Sequence, residues 1–182
     1  PASRAEAVER EKRRRQRLNS ADSIQVIEAP DPLKWIDDEV TIENPHKTDT
    51  NVIIPFKLWP KQIEYLLLLH FQRQTITLKA RQLGISWVTI VYCLWLCIFH
   101  RNVTVLVFSK DKDAAEEIIR RARGVFKRLR NKVVKEVGRE NKGEIAFSNE
   151  SRFKAFATTQ NAGTSYVATF LIVDEMDKMQ YG

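Results

Sequence analysis

The sequence predicts an α/β fold, a mostly parallel sheet with helices on both faces, and three observations carry that prediction. From residue 56 onward, short apolar runs alternate with stretches of helical periodicity. Two of the runs, 103–108 and 170–173, are continuously apolar between polar neighbours, which is how interior strands of a parallel sheet read. A third run at 74–78, rich in β-branched residues, leads through a loop carrying Gly84 into an apolar helix. At 182 residues the chain is long enough for one such domain with a real core. Its 43% hydrophobic and 29% charged residues exclude a wholly disordered polypeptide.

Taken in order, residues 1–20 read as a basic arm. Arg10, Lys12, Arg13, Arg14, Arg15 and Arg17 have almost no apolar neighbours, so the arm cannot build a core alone. No apolar signal core follows it, which argues against secretion. Residues 21–55, with prolines at 30, 32, 45 and 55 and scattered acids, read as an irregular wrapping segment. The core domain spans 56–182. Trp59, Ile63, Leu66 and Leu67 make an apolar helix opened by Pro60, a favoured first-turn residue. The strand at 74–78 and the loop at 79–86 follow.

Residues 87–99 are apolar almost all round and predict a buried helix, too short for the roughly 20 residues that cross a bilayer. Cys93 and Cys97 sit one turn apart within it. Two cysteines at that spacing make neither a disulfide framework nor a usual zinc knuckle, and suit a reduced, intracellular setting. After the strand at 103–108, Asp111 and Asp113 can cap a helix with apolar positions at 118, 122, 125, 126, 129 and 133. Residues 144–147 and 152–156 flank a turn-like Ser148-Asn149-Glu150-Ser151 and predict a β-hairpin. The last strand, 170–173, ends in Asp174 and Glu175.

Charge is unevenly spread. The formal net charge of +7 divides into +4 over residues 1–20, +8 over 118–135 and −5 over the remainder. Two basic segments on a slightly acidic body suggest a polyanion partner touching particular surfaces; the competing reading is two solvated helix faces.

Three groups of residues carry chemistry. The loop Lys79-Ala80-Arg81-Gln82-Leu83-Gly84-Ile85-Ser86 occupies the place of a P-loop, G-x-x-x-x-G-K-[ST], with Gly84 and Ser86 on the template. Lys79 stands at the first glycine and Ile85 at the usual lysine. Backbone N–H groups around Gly84 can cradle phosphate oxygens, Ser86 can ligate Mg²⁺, and Lys79 or Arg81 can supply the displaced cation. The apolar strand ending in Asp174-Glu175 has the Walker B form. There Asp174 would hold Mg²⁺ and Glu175 would orient and deprotonate water. Upstream, Gln62 carries an amide that can meet both donor and acceptor on adenine, with Trp59 nearby to stack.

In this order, the segments FKLWPKQ, LKARQLGIS and TFLIVDE resemble the ATPase domain of the phage large terminase subunit, the motor of viral DNA packaging. The likeness covers about residues 53–177. The resemblance implies a P-loop NTPase fold of the RecA-like, additional-strand, catalytic-glutamate type, with ATP and Mg²⁺ as cofactors. It implies ATP hydrolysis driving double-stranded DNA into a procapsid, in the cytoplasm of the infected bacterial host. Implied partners are the small terminase subunit, the portal and further copies in a homo-oligomeric ring, with no membrane. By the same resemblance Gln62 and Trp59 serve adenine, Lys79 through Ser86 the phosphates, Asp174 and Ser86 the metal, and Glu175 with Arg81 catalysis.

Two departures stand out. Ile85 is apolar where the template has lysine, and Thr164 stands where many relatives carry a basic residue that would act as an arginine finger. The resemblance also implies a coupling motif and a nuclease domain beyond this segment, with nuclease activity expected only there. Two alternatives share parts of the pattern: a helicase-like ATPase, and a nucleic-acid-binding module with a degenerate, inactive nucleotide site.

Overall fold

Proline and aspartate set the first helix. In the computed structural model, which describes residues 28–44, 52–80, 82–159 and 162–176, α1 (Pro32–Glu39) starts at a proline whose missing N–H costs nothing there. Asp31 caps it, its Oδ1 accepting from the Leu33 N–H at 2.9 Å. Trp35 and Ile36 are buried beneath. Two short strands, β1 (Thr41–Glu43) and β2 (Ile53–Pro55), then pair antiparallel. The expectation of an irregular segment at 21–55 is thus corrected for its described part. Pro32 and Pro55 are boundary markers of a helix and a strand rather than breakers. The basic arm at 1–20 lies outside the described residues.

The next elements are α2 (Pro60–Phe71), α3 (Ile85–Phe99), β3 (Thr104–Ser109), α4 (Lys112–Arg128), β4 (Glu136–Asn141), β5 (Glu144–Phe147), β6 (Arg152–Ala157) and β7 (Phe170–Val173). Strands β3 to β7 form one sheet in the order β4-β5-β6-β3-β7. β3 runs parallel to β6 and β7, whereas β5 pairs antiparallel with both β4 and β6. The expected mostly parallel sheet is therefore corrected to a mixed one. The connections at 142–143 and 148–151 are far shorter than the dozen or so residues a parallel crossover requires. The sequence reading missed β4, because Glu136–Asn141 is polar and carries a register irregularity between Val137 and Asn141.

Helices on both faces are not what the described residues show. Alternate strand positions Val105, Val107, Ile145, Phe147, Phe153 and Ala155 join one apolar cluster with α3 and α4, and Phe170 and Ile172 pack against it. α3 and α4 also touch each other, Arg121 lying 5.1 Å over the Trp87 ring. The opposite face is covered by a turn at 162–165 and by Tyr166. Phe108 stacks on Phe156 at 5.7 Å, and Phe156 meets Tyr166 at 5.8 Å. Lys154, 7% exposed, donates to Tyr166 Oη at 3.0 Å and pairs with Glu144 at 2.9 Å. The continuous apolar run of β3 thus faces helices on one side and an aromatic loop contact on the other.

The predicted strand at 74–78 is also corrected. Residues 74–80 are in no sheet, and Ile76 and Leu78 are fully exposed. A β-branched run becomes a strand only when another strand takes up its N–H and C=O groups. Among the described strands the sheet ends at β7, whose Leu171 and Val173 are 56% and 44% exposed.

The basic segment at 118–135 turns out to be largely occupied. Arg120 forks onto Glu43 at 2.7 and 2.9 Å and onto Glu117 at 2.6 and 2.8 Å. Arg123 is buried against Glu136 and the carbonyls of Asn141 and Glu144. Arg128 donates to Thr41 through both Oγ1 and the carbonyl. These arginines fasten α4 to β1, β4 and β5, which favours the structural reading of that charge over a polyanion surface.

Candidate active site

Gly84 makes the turn into α3. Its φ of +69° lies in the left-handed region that favours glycine, and its carbonyl accepts from Trp87 N at 3.0 Å and Val88 N at 3.2 Å. Gln82, two residues earlier, also has a positive φ of 64°. The first N–H groups of a helix have no intrahelical acceptor and sit at the positive end of its dipole, so Ile85 and Ser86 present a surface suited to an anion. The Ile85 side chain is buried in the core, which accounts for an apolar residue at the template's lysine position.

β7 runs toward this helix end. Its first residue, Phe170, packs edge-on against Tyr92 at 5.5 Å. Beyond its last residue, Asp174 N donates to the Phe108 carbonyl at 2.8 Å. The Tyr65 hydroxyl lies 3.0 Å from Thr89 Oγ1, which in turn donates to the Ile85 carbonyl at 3.0 Å. Burial raises the Tyr65 pKa, and the negative charge of Asp174 adds to the rise. Asp174 therefore lies within electrostatic reach of Tyr65, whose hydroxyl meets Thr89 on α3.

Glu175 follows in a left-handed conformation, φ +54°, and its N–H donates to Asp174 Oδ1 at 3.1 Å. Lys110 Nζ stands 3.5 Å from Glu175 Oε2 and 4.0 Å from Asp111 Oδ2. The register that places Phe108 opposite Val173 sets Lys110 beside Glu175. At this edge of the sheet the structure gathers the Asp174 and Glu175 carboxylates and the Lys110 ammonium.

Not all expected residues join them. Lys79 lies on the exposed stretch that precedes the turn. Arg81 is outside the described residues. Trp59 is 62% exposed at the N-terminus of α2. Gln62 is 5% exposed: its Oε1 accepts from Trp59 N at 3.0 Å and its Nε2 donates to the Leu83 carbonyl at 2.9 Å. Thr164 belongs to the turn that covers Phe108.

Sequence reasoning missed Lys110, Tyr65 and Thr89. Lys110 follows an apolar run recognised as a strand, but only the pairing of β3 with β7 makes it a neighbour of Glu175. Tyr65 sits one turn beyond Gln62 on the same helix, a signal available in the spacing but without meaning until Thr89 is opposite.

The family described as Terminase large subunit, T4likevirus-type, N-terminal matches residues 76–182. The chain belongs to this large terminase subunit family. That membership places it in phage DNA packaging, as the motif order had implied. No curated protein matches the chain. The terminase match takes in the loop at 79–86, Lys110, Asp174 and Glu175, and begins after Gln62 and Trp59. Among the described residues no helix is long and apolar enough to cross a membrane.

Proposed function

We propose that this chain is the ATP-hydrolysing part of a packaging motor that drives double-stranded DNA into a procapsid in the infected host cell. The single observation that carries the reading is the placing of Asp174 and Glu175 directly after β7, with Lys110 beside Glu175, in a chain of the terminase family. The donor set suits a magnesium nucleotide: a hydroxyl at Ser86, a carboxylate at Asp174 and helix N–H groups for phosphate oxygens. Ser86 and Asp174 would hold the ion, which when bound neutralises charge building up on the phosphate oxygens. The N–H groups at Ile85 and Ser86 bind and orient the phosphates. Glu175 accepts a proton on its carboxylate from the attacking water. Its backbone conformation and the Lys110 ammonium fix where that carboxylate stands. Lys79 or Arg81 supplies the cation that Ile85 cannot.

Glu175→Gln tests the reading. The amide keeps the size of the side chain and removes the base, so ATP binding should persist while turnover falls by about a hundredfold or more. Binding is read by fluorescent-nucleotide titration and turnover by phosphate release. Equal turnover in variant and parent would remove Glu175 from catalysis.

A further inference from the structure

We infer that the sheet edge opposite the candidate site is a surface for the phosphate backbone of double-stranded DNA, formed by Arg101, Arg130, Lys132 and Lys135. The partner class rests on the proposed packaging function, whereas the surface stands apart from the candidate active site. The fold brings two stretches of chain together on either side of the turn at 148–151. On one flank, Asn102 N donates to the Asn149 carbonyl at 3.1 Å and Asn149 Nδ2 donates to the His100 carbonyl at 2.9 Å, which holds Arg101 beside the turn. On the other, Ser148 N donates to the Lys135 carbonyl at 2.8 Å and Lys135 N donates to Ser148 Oγ at 3.0 Å. Arg152, opposite Thr104 in the register, adds a guanidinium 3.6 Å from Glu144. Lys110, Asp174 and Glu175 follow the other ends of β3 and β7, so the six residues of β3, roughly 20 Å of extended chain, separate the two edges.

These cations lack an answering charge within the fold. The arginines along α4 turn inward, Arg120 to Glu43 and Glu117, Arg123 to Glu136 and Arg128 to Thr41. Arg101, Arg130, Lys132 and Lys135 are instead exposed, and none of them forms an ion pair among the described residues. Lys132 Nζ donates to the Lys127 carbonyl at 2.9 Å, which leaves its charge unanswered. Of the nearby acids, Glu136 is taken up by Arg123 and Glu144 by Lys154, and Glu150 is the exposed acid of the turn. Like charges gathered on one edge repel one another until a polyanion arrives. An acidic protein is the other class of partner with that charge. Protein interfaces, however, centre on buried apolar and aromatic side chains. Here the exposed neighbours are Asn102, Asn131 and Ser148, with Val133 at 41% exposure. Arginine and lysine fringed by asparagine and serine suit phosphate and sugar oxygens.

Replacing Arg101, Arg130, Lys132 and Lys135 together with glutamine tests the surface. The 182-residue chain is titrated with a labelled duplex at several salt concentrations. Affinity at low salt should fall by about tenfold or more, and the slope of log affinity against log salt should flatten by about two to four, at about 0.9 per phosphate contact. The melting temperature should stay within about 2 °C of the parent, because no ion pair is lost. Glutamine at Lys34, Lys61, Lys112 and Lys142 removes the same charge from exposed positions elsewhere and should leave the slope nearly unchanged. Equal flattening in the two variants would overturn the inference in favour of net charge alone. An unchanged slope in the edge variant would overturn it too, with the packaging function still standing. A parent chain that binds no duplex would overturn both. Tighter binding of polyglutamate than of duplex at equal charge would overturn it in favour of an acidic protein.

Discussion

Single residues in unusual backbone conformations shape the candidate site. Glu175 at φ +54° and Gln82 at 64° adopt the left-handed region without being glycine, a state that costs of the order of 1 kcal/mol or more and persists where neighbours enforce it. For Glu175 the enforcing contacts are Lys110 and the Asp174 side chain. Gly163 shows the glycine form of the same constraint. Its φ is +78°, and a Cβ would come within 2.5 Å of Phe108 Cζ. Gly163→Ala should therefore destabilise the fold by about 1–3 kcal/mol, read as a lower denaturation midpoint with an unchanged slope. A shift under about 0.5 kcal/mol would mean that the turn moves freely off Phe108. At this scale the sequence was legible where the backbone demanded a residue type. Gly84 announced a turn, and Asp174-Glu175 announced the end of a strand. It was opaque where a side chain met a distant segment: nothing in the local pattern signals that the Gln62 amide donates to the Leu83 carbonyl.

At the scale of elements, α4 shows how charge can serve packing. Its apolar spacing predicted the helix, and the end at Arg128 differs little from the expected range. Its arginines read as a surface for a polyanion, because the acids that answer them, Glu43 and Glu136, lie outside the basic segment. Hydrogen bonds from Arg120, and after them those from Arg121, hold the Glu117 carboxyl at a pKa of about 2. Arg120 likewise lowers Glu43. A carboxylate whose folded pKa is depressed stabilises the protein above its unfolded value and loses that contribution as pH falls through the folded one. The tie between α4 and β1 should accordingly weaken between about pH 4.5 and pH 2. These groups are a third or more exposed, so solvent screening keeps the effect to about 1 kcal/mol or less. Denaturation measured across that range with the parent and Arg120→Ala should show the variant with the flatter pH dependence. Arg123 is the contrasting case, buried with Glu136 and two carbonyls. Arg123→Ala strands those groups and should cost about 3 kcal/mol, several times the loss from Arg120→Ala. Comparable losses for the two would contradict the burial difference.

Over the whole molecule, the strand–helix alternation gave the α/β class, but strand order and helix placement depended on contacts no local pattern encodes. A polar strand at Glu136–Asn141 widened the sheet antiparallel, and the run at 74–78, strand-like in every residue, stays outside it. The charge map is revised in the same way. With Arg120, Arg123 and Arg128 engaged within the fold, much of the +8 over residues 118–135 is neutralised locally or tied to carbonyl groups. The other concentration of positive charge in the sequence is the arm at 1–20, net +4. Binding to DNA depends on how many phosphates the protein neutralises, and the slope of log affinity against log salt counts them at about 0.9 per contact. Deleting residues 1–20 should therefore weaken binding to double-stranded DNA and flatten that slope by about one to three. Replacing Arg120 and Arg128 with glutamine should instead lower the melting temperature and leave the slope nearly unchanged, because those guanidinium groups are already bonded within the protein. Titrations of labelled duplex at several salt concentrations, beside a thermal melt of each variant, decide between the two segments. A slope preserved in the deletion and flattened in the glutamine variants would return the polyanion contact to α4.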